Sequence, residues 1–253
     1  MKILGITQAR VGSSRLPGKI FKQVDSQSLL EIHLRRIRMS RLLTDLKVAT
    51  TFEDGVEQII EIANKVNVEI FQGSTDDVLG RFYGAAEGVN PDYVVRFTSD
   101  CPLIDPAVID AVIDLAISKD VDYVSNTLQP TFPDGLDVEV FRFSALCEAF
   151  QKAKLKSERE HVTPYIWKNS TFTGGSYFTS DCFMFPQDFS QYRITVDTED
   201  DFNVVDGLIT ELGTECSWVE YIELLKRNIK MLNANKQYTR NEGYQKSIDE
   251  DNI

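Results

Sequence analysis

The stretch KILGITQARVGSSRLPGK, residues 2–19, decides how the chain is read. A short apolar run, Ile3 to Ile6, enters a segment holding Gly12, Pro17 and Gly18 among Arg10, Arg15 and Lys19. Apolar residues then resume at Ile20 to Val24. A strand that opens at once into a basic, flexible loop is how an open α/β sheet begins a ligand site, because ligands sit beyond the carboxyl ends of its strands. The chain carries a formal charge of −12, yet residues 1–41 hold nine Lys/Arg against two Asp/Glu, a balance of +7, so the remainder carries −19.

The pattern downstream supports that opening. Strand-like runs at 2–7, 46–51, 68–73, 92–98 and 121–126 alternate with helical periodicity at 28–42, 54–66, 76–88 and 106–118. Asp105 is the expected N-cap of the last helix, with Pro106 at its first position. Doubly apolar strands separated by helices predict a mostly parallel sheet, with helices on both faces and right-handed crossovers. Past residue 137 the pattern changes. DVEVFRF (137–143) predicts a strand entering a helix, and SEREHVTPYIWK (157–168) predicts helix. The aromatic stretch STFTGGSYFTSDCFMFP (170–186) has the alternation of a small antiparallel insertion, and YRITVD (192–197) that of a further strand before a capped helix. One domain over 1–225 with a polar extension over 226–253 follows.

Composition excludes several classes. Hydrophobic and charged fractions of 42% and 26% are those of a globular protein. Neither a bilayer-spanning run nor a signal peptide is read, and the four cysteines at 101, 147, 182 and 216 form no CxxC pair. These features predict a cytoplasmic enzyme that binds neither membrane nor nucleic acid, since polymer phosphates call for extended basic surface. A compact positive zone suits a small polyanion instead. Arg35, Arg36, Arg38 and Arg41 lie on a helical pattern striped by Leu30, Leu34, Ile37 and Leu42, so most of them are expected in solvent.

Three places carry chemistry. Gly12 and Gly18 permit backbone turns in which amides converge on an anion, and Arg10, Arg15 and Lys19 suit phosphate oxygens; an exposed turn is the alternative. In RFTSDCPLIDP (96–106), Asp100 follows an apolar strand and suits a hard cation; a turn aspartate is the alternative. In RITVDTEDDF (193–202), Asp197 is either a second carboxylate meeting Asp100 over one Mg²⁺ or a helix cap. Asp77 and Arg81, four apart, make an ion pair, or else Arg81 points with Ser74 and Thr75 into a base or ribose pocket. Asp134-Gly135 signals a turn, after which Asp137 and Glu139 share one strand face and suit acceptor hydroxyls. Arg159 and His161 suit an acceptor anion, whereas His33 is read as structural.

Taken in order, IxQARxGSSRLPGK, GSTDDVLGRFYGAA (73–86), TSDCPLIDP, SNTLQPTFPDGLDVEVF and SEREHVTPYI resemble the spore-coat polysaccharide (SpsF-like) cytidylyltransferases, relatives of CMP-Kdo and CMP-sialic acid synthetases. The resemblance spans residue 1 to about 212, and NANKQYTRNEGYQKSID is similar to a tail on longer members. It implies a Rossmann-like, GT-A-like nucleotidyltransferase fold that moves a cytidylyl group from CTP to an acidic sugar or related acceptor, for surface polysaccharide synthesis. It implies catalytic roles for Arg10, Arg15, Lys19 and Asp100, and Mg²⁺ on Asp100 and Asp197. Nucleotide contacts would come from Gln8, Ala9, Arg10, Gly12, Ser13, Arg15, Lys19, Ser74, Thr75, Arg81 and Thr98. Acceptor contacts would come from Asp137, Glu139, Arg159 and His161. Where the CMP-Kdo branch has Gln-Gly-Asp-Glu-Pro, this chain has Thr98-Ser99-Asp100-Cys101-Pro102, which leaves cytosine selectivity open. A homodimer is expected through the aromatic segment. The competing readings are a GT-A-like glycosyltransferase using a preformed nucleotide sugar, and a catalytically silent scaffold.

Overall fold

A computed structural model describes residues 1–13 and 15–251; Ser14 of the basic loop and the last two residues of the extension lie outside them. Strand β1 (Ile3–Gln8) leads through the loop into a 3₁₀ turn at Lys19–Phe21. The two-residue strands β2 (Gln23–Val24) and β3 (Gln27–Ser28) pair antiparallel before helix α1 (Leu29–Ile37). There follow β4 (Asp45–Thr50), α2 (Val56–Lys65), β5 (Glu69–Gln72), α3 (Val78–Glu87), β6 (Tyr93–Thr98) and α4 (Pro106–Lys119). The second half holds β7 (Tyr123–Ser125), β8 (Glu139–Arg142), α5 (Phe143–Lys152), α6 (Lys156–His161), α7 (Pro164–Lys168) and β9 (Ser180–Cys182). Helices α8 (Glu199–Leu212), α9 (Trp218–Arg227), α10 (Ile229–Ala234) and α11 (Glu242–Asp251) finish the chain.

The main sheet runs β5-β4-β1-β6-β8-β7-β9. Strands β5, β4, β1 and β6 are parallel, β8 runs against β6 and β7, and β9 lies parallel to β7. The chain moves outward from β1 to β4 and β5, then returns to add β6 on the opposite side of β1. This reversal opens a crevice at the carboxyl ends of β1 and β6, where Gln8 stands in register with Thr98.

Alternation along the strands divides the core between the two faces. Val95, Val124 and Val140 point to the side covered by α1, α2, α4, α8 and α9, while Val94, Tyr123 and Phe141 point to α3, α5 and α7. Asp105 caps α4 as expected, accepting from the amides of Ala107 (2.8 Å) and Val108 (3.4 Å), and it also accepts from the amide of Trp218 at 2.8 Å. Among the described residues no helix is long and apolar enough to cross a membrane.

Two expectations are corrected. The aromatic stretch forms no antiparallel hairpin, because Asp122 accepts from both the amide and hydroxyl of Thr179 (2.8 Å each) and clamps β9 alongside β7. The small antiparallel pair of this fold is β2–β3 instead. Residues 192–197 add no strand to the sheet, because their amides are committed elsewhere: Ile194 donates to Asp134 O and Val196 to Asp100 O, both at 2.8 Å. Of the four arginines expected mostly in solvent, Arg35, Arg38 and Arg41 are exposed, and Arg36 is the buried exception. Its guanidinium fastens three carbonyls, those of Ile104 (2.7 Å), Cys216 (3.0 Å) and Thr214.

His33 is structural, as read. Fully buried on α1, it lies 2.8 Å from the Thr7 hydroxyl and 2.8 Å from Cys101 O, joining the ends of β1 and β6. Burial pushes its imidazole down to about 4, so the folded protein keeps it neutral while the unfolded chain protonates it near 6.5. The stability that the neutral ring contributes is therefore complete above about pH 6.5 and is lost as pH falls toward 4. Relative to a His33→Gln variant, wild type should lose about 3 kcal/mol of unfolding free energy between pH 7 and 4, measured by urea titration. Parallel pH profiles would rule His33 out as the titrating group.

Candidate active site

The crevice beyond β1 and β6 gathers charges of both signs. The carbonyl of Asp100 accepts from the amide of Val196 (2.8 Å) and the hydroxyl of Thr195 (2.9 Å), which brings residues 195–197 against the end of β6. Asp197 is thereby set beside Asp100, and Lys19 reaches both: Nζ lies 2.9 Å from Asp197 Oδ1 and 3.5 Å from Asp100 Oδ2. Arg15 Nη2 adds a contact of 3.0 Å to the same Asp197 oxygen. Burial opposes the charge on Lys19, but the two aspartates outweigh it and its pKa is raised. Burial likewise opposes ionisation of Asp100, yet the Lys19 ammonium and the Thr98 hydroxyl hold the carboxyl down at about 2.

Arg193 builds the floor beneath these groups. Its guanidinium holds Asp201 at 2.8 Å (Nε) and 3.0 Å (Nη2), Asp197 at 3.1 Å and Asp134 at 2.5 Å. Asp201, fully buried, also accepts from the amides of Asp197 and Thr198 at 3.0 Å and from the Asn235 amide group at 2.9 Å. Helix α8 is capped by Thr198 with Asp201 in a reciprocal box, so Asp197 is spared for the crevice. Gly135, at φ +111°, lets the 133–137 turn approach this floor; a Cβ there would stand 2.7 Å from Thr195 N.

The backbone of the basic loop is engaged by a carboxylate. Glu53 Oε1 accepts from the amide of Val11 (2.7 Å) and from the Thr51 hydroxyl (2.9 Å), so an anion already occupies part of the loop. Gly18 takes the left-handed conformation (φ +66°) that turns Lys19 inward. Ala9 is buried and tied to Ala49 O, the Ser13 hydroxyl accepts from Leu16 N at 3.4 Å, and Arg10 is exposed. Arg81 is buried, and its Nη1 donates to the carbonyls of Ser74 and Thr75 (3.0 Å to the latter), so it shapes that loop rather than opening into the cavity. Burial and the neighbouring Arg10 charge both lower its pKa. Asp77 does not pair with Arg81; it caps α3 through Gly80 N (2.8 Å) and binds Arg159.

Gln8, Arg15, Thr98, Asp100 and Asp197 share a cavity of about 440 Å³ with Asp134, Asp137, Glu139, His161 and Trp167. Glu139 is a saturated hub, accepting from Tyr123 OH (2.6 Å), the Thr163 hydroxyl (2.6 Å) and Arg96. Burial and its neighbouring carboxylates push Asp134 up to about 7 and raise Asp137 as well. Burial lowers His161 to about 4, and its Nε2 lies 3.0 Å from the Ser247 hydroxyl. Arg159 is a correction: it is turned away onto Asp77 and Phe150 O (2.8 Å) and does not line the cavity.

Sequence reasoning missed Arg96, Arg193, Asp201 and the C-terminal residues Arg240, Glu242 and Tyr244. Arg193 and Asp201 carried a usable signal, since both lie within the strand-to-helix segment that contains Asp197. Replacing Asp201 with Ala leaves Arg193 and four donors without their shared acceptor, and should cost about 3 to 5 kcal/mol of stability in chemical denaturation.

A profile of the cytidylyltransferase family matches residues 4–248, and the chain belongs to that family. It is 33% identical to the spore coat polysaccharide biosynthesis protein SpsF of Bacillus subtilis, over 89% of this chain and 95% of that one. It is 30% identical to the 3-deoxy-manno-octulosonate cytidylyltransferase of Solibacter usitatus, over 54% of this chain and 53% of that protein. The solved structure of a cytidylyltransferase from Leptospira borgpetersenii superposes with a TM-score of 0.86 at 35% identity, covering 95% of this chain and 99% of the other. The chain is thus a nucleotidyltransferase of the CMP-sugar synthetase type, and the glycosyltransferase alternative is not favoured.

Proposed function

We propose that the protein transfers CMP from CTP to an acidic sugar, releasing pyrophosphate, with Mg²⁺ as cofactor and a surface-glycan precursor as product. The observation that carries this reading is the convergence of Lys19 and Arg15 on Asp197, with Asp100 beside them, at the mouth of the sheet. The acceptor's oxygen attacks the α-phosphorus in line while the bond to pyrophosphate breaks. Lys19, Arg15 and Arg10 neutralise charge on the phosphate oxygens, and the carbonyl tethers on Asp100 keep its carboxylate fixed while this happens.

The donor set suits magnesium. Among the described residues no group of three or more His, Cys, Asp or Glu is placed to hold a metal alone. Mg²⁺, however, is commonly held by one or two carboxylates together with substrate phosphates and water. Asp100 and Asp197 already converge on one cationic atom, Lys19 Nζ, and they are the residues that would hold the ion. When bound, it would supply charge neutralisation between the α-phosphate and the attacking oxygen.

The acceptor is assigned to the Asp137, His161 and Trp167 end of the cavity. The name of the Bacillus relative supports a sugar of a surface polysaccharide, and that of the Solibacter relative supports a sugar acid. Pyrophosphate release should appear with CTP, Mg²⁺ and one member of a panel of sugar acids, and be slower with ATP, GTP and UTP. Arg15→Ala and Asp100→Ala should each lower turnover about a hundredfold or more while the proteins stay folded by circular dichroism. Near-normal release by both variants would sink the assignment.

A further inference from the structure

The cavity is not closed by the nucleotidyltransferase motifs alone. Asn241, Glu242, Gly243 and Tyr244, from the C-terminal segment, line it together with Asp100 and Asp197. This strap is tethered by side chains. Arg240 binds Asp137 and donates to Phe132 O (3.2 Å), and the Ser247 hydroxyl donates to Glu160 (2.8 Å) beside His161. Tyr244 packs edge-on against His161 and Trp167, with ring centroids 5.0 and 6.1 Å apart.

One tether crosses to the nucleotide side. Glu242 Oε2 lies 3.0 Å from Arg15 Nη1, while Arg15 Nη2 holds Asp197. In the free enzyme the guanidinium fork is therefore filled by two carboxylates, the geometry in which arginine takes phosphate oxygens. Asp197 is fixed by Arg193 and Lys19, but Glu242 sits at the start of α11 with a side chain 41% exposed. The strap also carries unmet demands. Among the described residues the buried hydroxyl of Tyr244 has no hydrogen-bond partner, Nε of Arg240 reaches only Asp134, at 3.8 Å, and Asn241 is left-handed at φ +63°. A buried polar group left unmet in this way makes the closed position less stable than its contacts suggest.

We propose that Glu242 stands in for a phosphate oxygen at Arg15, and that the triphosphate of CTP displaces it and releases the strap from the nucleotide side of the cavity. This rests on the reading of Arg15 as a triphosphate contact. A carboxylate held against the phosphate-binding fork disfavours nucleotide in the closed state. Nucleotide therefore shifts the strap outward by its differential affinity for the two states.

The test needs no acceptor. Full-length wild type and Glu242→Gln, which keeps an oxygen for the Thr239 cap, are titrated with CTP and Mg²⁺ by calorimetry, with cytidine as a phosphate-free control. Hydrogen exchange follows the amides of residues 239–247 in wild type. The Gln variant should bind CTP about three- to fivefold tighter, the scale of one exposed ion pair, and bind cytidine as wild type does. The strap amides should exchange faster in CTP and not in cytidine. Equal CTP affinities, or strap exchange unmoved by CTP, would overturn the displacement while leaving the nucleotide reading intact. A wild type that bound no CTP would remove both.

Discussion

The structure of the site depends on one buried arginine. Arg193 is in contact with Asp134, Asp197 and Asp201 and is 8% exposed. Three carboxylates could not share that space without it, because unpaired buried charge costs several kcal/mol per group. Through Asp201 it fixes the start of α8, and through Asp134 it fixes the turn that enters β8. Through Asp197 it aims a carboxylate at Lys19. The 193–201 segment and the turn at Asp134 therefore meet at one guanidinium, and Lys19 joins them through Asp197.

From that centre the charges alternate outward: Asp201, Arg193, Asp197, then Lys19 and Arg15, with Asp100 and Glu242 beyond them. The alternation explains how a chain of net charge −12 keeps a basic loop in place. Lys19 and Arg15 are neutralised by aspartates in the free enzyme, and the loop amide of Val11 is occupied by Glu53. The site is built around anions before any substrate arrives. On the function proposed above, Lys19 and Arg15 become free for phosphate oxygens once Asp100 and Asp197 are balanced by a divalent ion. Affinity for nucleotide then depends on exchange between resident and incoming anions, rather than on an empty positive pocket.

The parallel half of the fold was legible because periodicity is local. β1, β4, β5, β6 and their helices each carry their own apolar pattern, and Asp105 with Pro106 marked the start of α4. That Lys19, Arg15, Asp100 and Asp197 meet at one edge of the sheet was legible because a loop and a carboxylate that each follow a parallel strand both lie beyond the carboxyl ends. Residues 192–197 were misread as a strand because alternation does not report hydrogen-bond partners. Their amides serve Asp134 and Asp100, not a neighbouring strand. Which of the four arginines would be the buried one was hidden for a related reason: an arginine on a helix looks solvated until the three carbonyls that bury Arg36 are known. Arg159 was assigned by its motif, and only the fold shows that Asp77 claims it.

The end of the cavity around Asp137, His161 and Trp167 stayed opaque to sequence reading for a deeper physical reason. It is assembled from the turn at Asp134, strand β8, the break between α6 and α7, and the C-terminal strap, which no local pattern connects. Its charges are also already spent. Arg15, Arg96 and Arg193, which line the cavity, each hold a carboxylate, and Arg240 behind them holds Asp137. On the function proposed above, an incoming anion therefore gains one of these cations only by displacing a resident carboxylate. Glu139 is locked by Tyr123, Thr163 and Arg96, and Asp197 by Arg193 and Lys19. Glu242 alone among these partners of the cavity's arginines rides on the terminal strap. On the displacement proposed above, that contact is where an incoming phosphate exchanges with a resident carboxylate at least cost, and this would give the strap a part in recognition.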